Sequence, residues 1–401
     1  MTGDGHRIDE TEIVGRARQL LADHPPGSCP ADEFLGAQFD RGLAWVHFPV
    51  GHGGLGADVR LQAAVDHVLH GAGAPDASAV NPIGHGMCAP TIVAWGTPSQ
   101  RERLLRPLFA GEEIWCQLFS EPSAGSDFAG LATRAAADGD DFVINGQKLW
   151  TTMAHRATWG LLIARTDPDV AKHAGLSAFV LDMHAPGVDV RPLYQMTGEA
   201  EFNEVFFDDV RVPSACLLGS VGQGWSVALT TLMNERVSIG GVIPPRGAGA
   251  VSHLMAAYDE LRASQPLRAE LYRHRVVALW LRAEVLRLSN IRLSQRREPG
   301  DPGPEGSIGK ILTAQLNQDI YAELLDLLGS EGMLYGTYDK VRPEIAMEYT
   351  TPQKAFLRSW ANSIEGGTSE VMKNVLAERL LGLPGDVRVD KGVPWNKIPR
   401  N

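Results

Sequence analysis

The chain has 401 residues, more than one hydrophobic core usually serves, so we expect two or three domains. A net charge of −11 and the lack of basic clusters interleaved with aromatic residues argue against a nucleic acid partner. The sequence shows no secretory signal, no membrane-spanning run and no CxxC pair, so we expect a reduced, cytoplasmic protein without a disulfide framework or a metal site.

The first 112 residues have the pattern of a helical domain. Segments 12–23 and 59–73 carry apolar residues at helical spacing. The stretches PVGHGGLGAD at 49–58 and NPIGHGMCAP at 81–90 are rich in glycine and proline, which predicts loops. We therefore expect an all-helical N-terminal domain at residues 1–112.

Residues 113–224 have the pattern of β-strands instead. FVINGQKLW at 142–150 contains Asn145-Gly146 between β-prone residues, which is a strong hairpin signal. The separators between strands are short and polar, which favours an antiparallel barrel or sandwich over a parallel sheet. We predict a central antiparallel β-barrel domain. The further predicted strands are WGLLIART, LSAFVLDM and FNEVFFDDVRVP.

The helical period returns in residues 225–401. Segments 271–293 and 317–329 are long and amphipathic, as in a helix bundle. Between them, REPGDPGPEG at 297–306 is rich in proline and glycine, which predicts a surface connection. We expect a C-terminal four-helix bundle and, for the whole chain, a multi-domain α+β protein.

A first chemical motif is QLFSEPSAGSD at 117–127, followed by KLWTT at 148–152. A loop rich in serine and glycine can bring N–H groups and hydroxyls close to a ligand. Trp150 and Thr152 add an aromatic wall and a hydroxyl, which together suit a flat heteroaromatic ring. The alternative is that Trp150 is a core aromatic residue.

A second motif is LMNERVSIGG at 232–241, where Glu235 lies at the edge of an apolar helix face and Arg236 within it. Charged groups on an inward face are costly unless they are paired or functional. The alternative to a functional role is therefore a buried ion-pair network.

A third motif is SIEGGTSEV at 363–371, which combines two carboxylates with a glycine pair. Its alternative interpretation is a glycine-rich turn that opens a helix, with Thr368 or Ser369 as the N-cap.

In their order and spacing these motifs resemble those of the acyl-CoA dehydrogenase family of flavoproteins, from residues 42–56 to 381–384. The resemblance implies a helical domain, a β-barrel domain and a four-helix bundle, with FAD between the last two. It also implies conversion of an acyl-CoA to a trans-2-enoyl-CoA. A carboxylate removes the α-proton, the flavin takes a hydride from the β-carbon, and an electron-transfer flavoprotein accepts the electrons.

The resemblance also assigns cofactor contacts. The family's loop matching residues 117–127 contacts the flavin, the matching tryptophan packs on the isoalloxazine, and the matching threonine bonds near N5. Thr368 and Glu370 match positions near the ribityl-pyrophosphate of FAD. By position the cofactor residues are Gln117, Phe119, Ser120, Gly125, Ser126, Trp150, Thr152, Thr368 and Glu370.

The catalytic base is expected at Glu235. Many family members carry it in an I-x-Glu-Gly-Thr motif, but here Gly366 holds that position and Glu365 is displaced by one residue. A subset that includes the isovaleryl-CoA and long-chain enzymes places the base on a bundle helix before an arginine, as Glu235 precedes Arg236. Arg236 then belongs to the substrate site, and the backbone N–H of Gly366 donates to the thioester carbonyl. Glu365 is expected to be solvated or ion-paired.

Two departures from the family concern assembly. The Arg-x-x-Phe-Gly motif that reaches a neighbouring subunit's FAD is absent from residues 261–274, and Asp326 replaces a glutamine that contacts the adenosine. We expect a homo-oligomer, typically a tetramer, with a mixed tetramer as an alternative. Two other functions stay open: a flavin oxidase or monooxygenase that uses O₂, and a non-catalytic subunit of a mixed assembly.

Overall fold

The computed structural model describes residues 8–240, 243–296, 304–337, 339–344 and 351–399. The chain forms two compact units. The first unit comprises Met1–Arg191, Phe202–Asn234 and Gly392–Asn401, and the second comprises Pro192–Glu201 and Glu235–Lys391. The three-domain boundaries after residues 112 and 224 stay a prediction. Most of the expected connection at 297–306 lies outside the described residues.

The first unit begins with six helices that surround a buried apolar cluster, as the helical pattern predicts. Asp9 caps the first helix by accepting a hydrogen bond from the Glu12 backbone, and Thr97 and Gln100 form a capping box at the start of the sixth. The helices are α1 (Glu10–Asp23), α2 (Ala31–Asp40), α3 (Gln62–Gly71), α4 (Ala77–Val80), α5 (Ala89–Trp95) and α6 (Pro98–Ala110).

The predicted loop at residues 81–90 is wrong, because this stretch is helical from Pro82 onward and continues through a wide turn into α5. Gly84 in this stretch is required for close packing against Asn81. The buried Asn81 accepts hydrogen bonds from the backbone N–H groups of Gly84 and Trp115. A Cβ at residue 84 would overlap the Asn81 side chain, so only glycine permits this approach.

Eight strands form one sheet whose main path runs β6-β7-β3-β2-β4-β5-β8. The strands are β1 (Trp115–Leu118), β2 (Arg134–Asp138), β3 (Asp141–Thr152), β4 (Trp159–Arg165), β5 (Leu176–Asp182), β6 (Val188–Leu193), β7 (Phe202–Pro213) and β8 (Leu217–Leu218). The predicted barrel needs correction, because the path is open among the described strands and β1 pairs parallel to β4. Parallel strands need a long crossover connection. Here the chain between β1 and β4 contains β2 and β3, so the short separators between consecutive strands do not reveal this crossover.

The hairpin predicted at Asn145-Gly146 is also wrong. Asn145 and Gly146 lie within strand β3. The tight turn lies instead at residues 139–140, where Asp138 of β2 faces Asp141 of β3. Gly146 has φ +146° and stands at a register shift against β7. A Cβ at this position would lie 2.7 Å from Thr133 Oγ1, so the glycine serves a close approach within a bulge.

Helix α7 (Gly224–Gly240) begins in the first unit and ends in the second. In the second unit, helix α10 packs against α8, α9 and α11 around a buried apolar core. The helical character of this region is confirmed, and the four-helix arrangement stays a prediction. No helix within the described ranges is long and apolar enough to cross a membrane. The helices are α8 (Ala250–Ser264), α9 (Pro266–Arg296), α10 (Gly306–Leu328), α11 (Pro352–Ser359) and α12 (Ser369–Val375).

Candidate active site

A buried ion pair fixes the loop that follows β1 to strand β3. Lys148 Nζ lies 2.8 Å from Glu121 Oε1, and both side chains are removed from solvent. Lys148 also donates to the carbonyl of Phe119 at 2.9 Å, and Glu121 accepts the backbone N–H groups of Ala132 and Thr133. The pair therefore holds the backbone on both sides of the predicted cofactor loop.

The pair remains ionised near neutral pH, although burial opposes both charges. Burial lowers the pKa of Lys148 to about 8, against the pull of the Glu121 carboxylate. Burial also acts to raise the pKa of Glu121, but the charge of Lys148 and the hydrogen bonds to the carboxylate outweigh it. The pKa of Glu121 consequently lies below its ordinary value.

Five predicted cofactor residues lie in or beside this loop, and one of them differs from the rest. Phe119 is buried and stacks on Phe128 with ring centroids 5.0 Å apart, so its side chain belongs to the core and leaves its backbone available to a ligand. The other four keep accessible surface: Gln117 and Ser120 are half-buried, and Gly125 and Ser126 are exposed.

Trp150 lies at an irregular end of β3. The register against β7 shifts between Lys148 and Thr151, and Trp150 has φ +59°, a conformation that bulky residues rarely adopt. Trp150 is 54% exposed and its ring contacts Phe202 edge-to-face, so the core-aromatic alternative is wrong. Thr152 follows, half-buried. Strained backbone with an exposed aromatic ring is typical of a ligand site.

In the second unit, a turn at 363–368 leads into α12. Gly366 and Gly367 have φ +62° and +92°, which explains the glycine pair. Thr368 Oγ1 accepts the Val371 backbone N–H at 3.2 Å, which confirms the predicted N-cap. Glu370 is exposed in the first turn of α12.

Glu365 is ion-paired, as predicted. Both of its oxygens accept from the guanidinium of Arg358, at 3.0 and 2.8 Å, and Asn362 donates to one of them at 2.8 Å. Arg358 is only 5% exposed and also donates to Glu201 at 3.0 Å. The three charged groups form a network in which Arg358 and Glu201 are buried and Glu365 is half-buried, and this network fixes the turn.

Glu235 lies beside the glycine turn. A Cβ built on Gly366 would stand 3.5 Å from Glu235 Oε1. The carboxylate that α7 carries therefore reaches the space where a side chain at 366 would begin. Arg236 is the next residue of α7, and its side chain lies outside the described part of the chain.

Lys310 of α10 connects these groups. Its ammonium donates to the carbonyl of Gly367 at 2.5 Å. Burial lowers the pKa of Lys310, and the charges of Glu365, Glu370 and Glu235 act in the opposite direction. One ammonium thus fixes the turn and balances the carboxylates around it.

The sequence analysis did not predict several of these residues, among them Lys148, Lys310 and Arg358. Period-two alternation places Lys148 on the face of β3 that buries Phe142 and Ile144, so a buried lysine was detectable. Lys310 and Arg358 carry no comparable signal, because their roles depend on the turn that folds back against α10 and α11.

Family models describe three consecutive parts of this chain. The N-terminal domain of acyl-CoA dehydrogenase matches residues 10–112, the middle domain matches 116–210, and the C-terminal domain matches 222–381. The chain has 35% identity over 400 residues to acyl-CoA dehydrogenase IpdE1 of Mycobacterium tuberculosis, covering 95% of this chain and 99% of that relative.

Solved structures give the same result. The Tcur3481-Tcur3483 steroid ACAD has a TM-score of 0.70 at 25% identity, covering 94% of this chain and all of that chain. The ChsE4-ChsE5 complex from Mycobacterium tuberculosis has a TM-score of 0.69 at 25% identity, covering 96% of this chain and all of that chain. Together with the matched domains and IpdE1, these likenesses show that the chain belongs to the acyl-CoA dehydrogenase family of flavin-dependent oxidoreductases.

Proposed function

We propose that this chain dehydrogenates an acyl-CoA thioester to the trans-2-enoyl-CoA, with Glu235 as the base that removes the α-proton. The observation that carries the proposal is the 3.5 Å distance from Glu235 Oε1 to the Cβ position of residue 366. The family resemblance places the base of many members at that position. A carboxylate from either residue reaches the same space, so Glu235 can replace the side chain that Gly366 lacks.

The surroundings of Glu365 support this choice. A general base needs a lone pair that can reach the substrate proton. Both oxygens of Glu365 already accept hydrogen bonds from Arg358, and Asn362 donates to one of them, so these partners occupy the carboxylate. We therefore give Glu365 a structural role within the turn.

Gly366 would polarise the thioester carbonyl through its backbone N–H. Removal of an α-proton develops negative charge on that carbonyl oxygen, and a donor fixed in advance stabilises it most. Lys310 holds the carbonyl of Gly367 at 2.5 Å, which limits rotation of the turn. Arg236, next to the base on α7, is the proposed substrate contact.

FAD, when bound, supplies the hydride acceptor. The chain offers suitable surfaces for it: the exposed Trp150 indole presents a flat apolar face on strained backbone, and exposed loop residues present N–H and hydroxyl groups. We propose that FAD is held by the residues that the resemblance assigns to it: Gln117, Phe119 through its backbone, Ser120, Gly125, Ser126, Trp150, Thr152, Thr368 and Glu370.

The names of solved relatives suggest the substrate and the assembly to test first. One is named a steroid ACAD, so we propose a ring-bearing acyl group. Two are named as pairs of chains, Tcur3481-Tcur3483 and ChsE4-ChsE5. Because the cross-subunit Arg-x-x-Phe-Gly motif is absent, we propose an oligomer that can include a related chain. An electron-transfer flavoprotein is the proposed electron acceptor.

The test is the visible spectrum of the purified protein under anaerobic conditions, before and after addition of straight-chain, branched and ring-bearing acyl-CoAs. Bleaching of the flavin band by ring-bearing thioesters is the expected result. A flavin band that no acyl-CoA bleaches, together with rapid reoxidation by air after chemical reduction, would point to oxygen chemistry. A chain that takes up no added flavin would point to a non-catalytic subunit.

A further inference from the structure

Residues 392–399, here called the return segment, pack on the first unit although residues 235–391 before them belong to the second. The backbone N–H of Trp395 donates to Val170 at 2.8 Å, and that of Asn396 donates to Pro168 at 3.0 Å. The match to the family's C-terminal domain ends at residue 381. The return segment is therefore an ordered part of this chain beyond the matched region.

The Trp395 side chain contacts residues close to the predicted cofactor loop. Its indole Nε1 donates to the carbonyl of Gly130 at 3.1 Å. The guanidinium carbon of Arg165 lies 4.2 Å from the centroid of the same ring. The indole thus combines a directed hydrogen bond with a cation–π contact, in which a buried arginine gains from an aromatic face.

Arg165 passes this contact on to the neighbouring backbone. Its side chain is buried, and it donates to the carbonyls of Leu131 at 3.0 Å and Ala129 at 2.7 Å. Its own backbone N–H donates to Thr133 at 2.7 Å. Trp395 and Arg165 together hold carbonyls along residues 129–133.

Residues 129–133 follow the predicted cofactor loop at 117–127 closely in the chain. Glu121 accepts the backbone N–H groups of Ala132 and Thr133, and Glu121 is itself fixed by Lys148. Gly130 closes a turn by donating to Asp127 at 2.9 Å. A shift at residues 129–133 would therefore be transmitted to Gly125 and Ser126, which precede this turn.

We propose that Trp395 is a positioning residue for the flavin: the return segment braces the cofactor loop through Arg165 and keeps its N–H groups in the arrangement that FAD requires. This inference rests on the proposed flavin site. It adds a determinant of cofactor affinity that lies outside the matched family domains and that does not itself touch the flavin.

The test compares Trp395→Ala, Trp395→Phe and a chain that ends at residue 391 with the unchanged protein. Trp360→Ala is the matched control, because Trp360 is a half-exposed tryptophan of the second unit. Hydrogen exchange of the amides of residues 128–133 is measured without flavin, and the FAD dissociation constant is measured by fluorescence quenching. A thermal unfolding scan establishes that each variant is folded.

We expect Trp395→Ala and the shortened chain to exchange faster at residues 128–133 and to bind FAD about ten-fold more weakly, the factor given by one ordinary hydrogen bond. Trp395→Phe keeps an aromatic ring over Arg165 and loses the Nε1 donor, so its affinity should be intermediate. Trp360→Ala should change neither quantity.

Unchanged hydrogen exchange at residues 128–133 in the folded Trp395→Ala variant would show that the return segment does not hold these residues. Faster exchange with unchanged FAD affinity would show that the return segment has no effect on cofactor binding. If the unchanged protein binds no FAD, the proposed flavin site fails, whereas the exchange measurement still decides whether the return segment holds the loop.

Discussion

At position 366 the proposed site uses a backbone N–H and needs no side chain. Gly366 has φ +62°, where an L side chain is strained, and a Cβ there would contact Glu235 Oε1 at 3.5 Å. In the proposed site the carboxylate arrives from α7, and residue 366 contributes only its N–H. The proposed mechanism therefore assigns proton removal and carbonyl polarisation to two different elements.

Glu235→Gln tests the base directly. The amide keeps the shape of the side chain and cannot accept the α-proton, so the rate of flavin reduction by acyl-CoA should fall by about 10² to 10⁴. FAD content and acyl-CoA binding should be retained, as measured by absorbance and by perturbation of the flavin band. Glu365→Gln is the control, and the assignment is wrong if this variant loses reduction while Glu235→Gln keeps it.

The shared space predicts that the carboxylate can be moved. Glu235→Gly should abolish flavin reduction, and adding Gly366→Glu should restore it in part, because the new side chain starts 3.5 Å from the former Oε1 position. Recovery should be incomplete, since a side chain at positive φ costs roughly 1–3 kcal/mol. Stopped-flow reduction measures the gain. A double variant that binds FAD and recovers no reduction would show that the two positions do not serve one site.

At the scale of elements, the cofactor loop depends on the Glu121–Lys148 pair. Lys148→Met would leave the Glu121 carboxylate buried without its cation, which typically costs about 3–5 kcal/mol. Urea unfolding measures this loss. Lys172→Met is the matched control, because Lys172 pairs with the exposed Asp127 and its loss should cost less than about 1 kcal/mol.

The pH dependence gives a second readout of the same pair. In the unchanged protein the pKa of Glu121 is lowered, so its contribution is present above the ordinary carboxyl pKa and is lost as pH falls through the folded value. In Lys148→Met, burial without a cation should raise that pKa above the unfolded value, so stability falls as pH rises. The stability difference between the two proteins should therefore shrink from near pH 7 to near pH 5. A constant difference would contradict the ionic account.

The elements that sequence pattern predicts well are those whose signal is local. Short β-prone segments predicted β4, β5 and β7, and helical spacing predicted α1, α3 and α9. The errors came from glycines whose reason is tertiary: Gly84 accommodates Asn81, and Gly146 accommodates Thr133. A glycine required for close packing looks the same in sequence as a glycine required for a turn.

The residues of the candidate site also differ in whether a local sequence signal predicts them. Motif order predicts Glu235 and Gly366, because the family resemblance carries their positions, and their roles stay predictions. The sequence could not predict the contacts of Lys310 and Trp395. Lys310 donates to Gly367, which lies far along the chain, and Trp395 donates to Gly130, which lies more than 200 residues earlier. Long-range contacts of this kind leave no period or spacing in the sequence.

At the scale of the whole molecule, α9 is a 31-residue helix with two apolar faces. One face buries Ala269, Val276 and Leu279. The opposite face, at 100° per residue, carries a stripe of exposed apolar side chains. A concentration of exposed apolar side chains on one helix face favours association with another subunit. The stripe consists of Leu267, Leu271, Val277, Leu281, Val285 and Leu288.

This stripe predicts how the oligomer can be weakened. Replacing Leu281 and Val285 together by lysine places two charges on the stripe, which an apolar interface cannot accommodate without a large desolvation cost. Light scattering after gel filtration should show a smaller assembly, with the far-ultraviolet spectrum unchanged because both side chains are exposed. Val50→Lys is the control, since Val50 is an exposed apolar residue of the first unit. An unchanged mass for the double variant would mean that subunits associate through another surface.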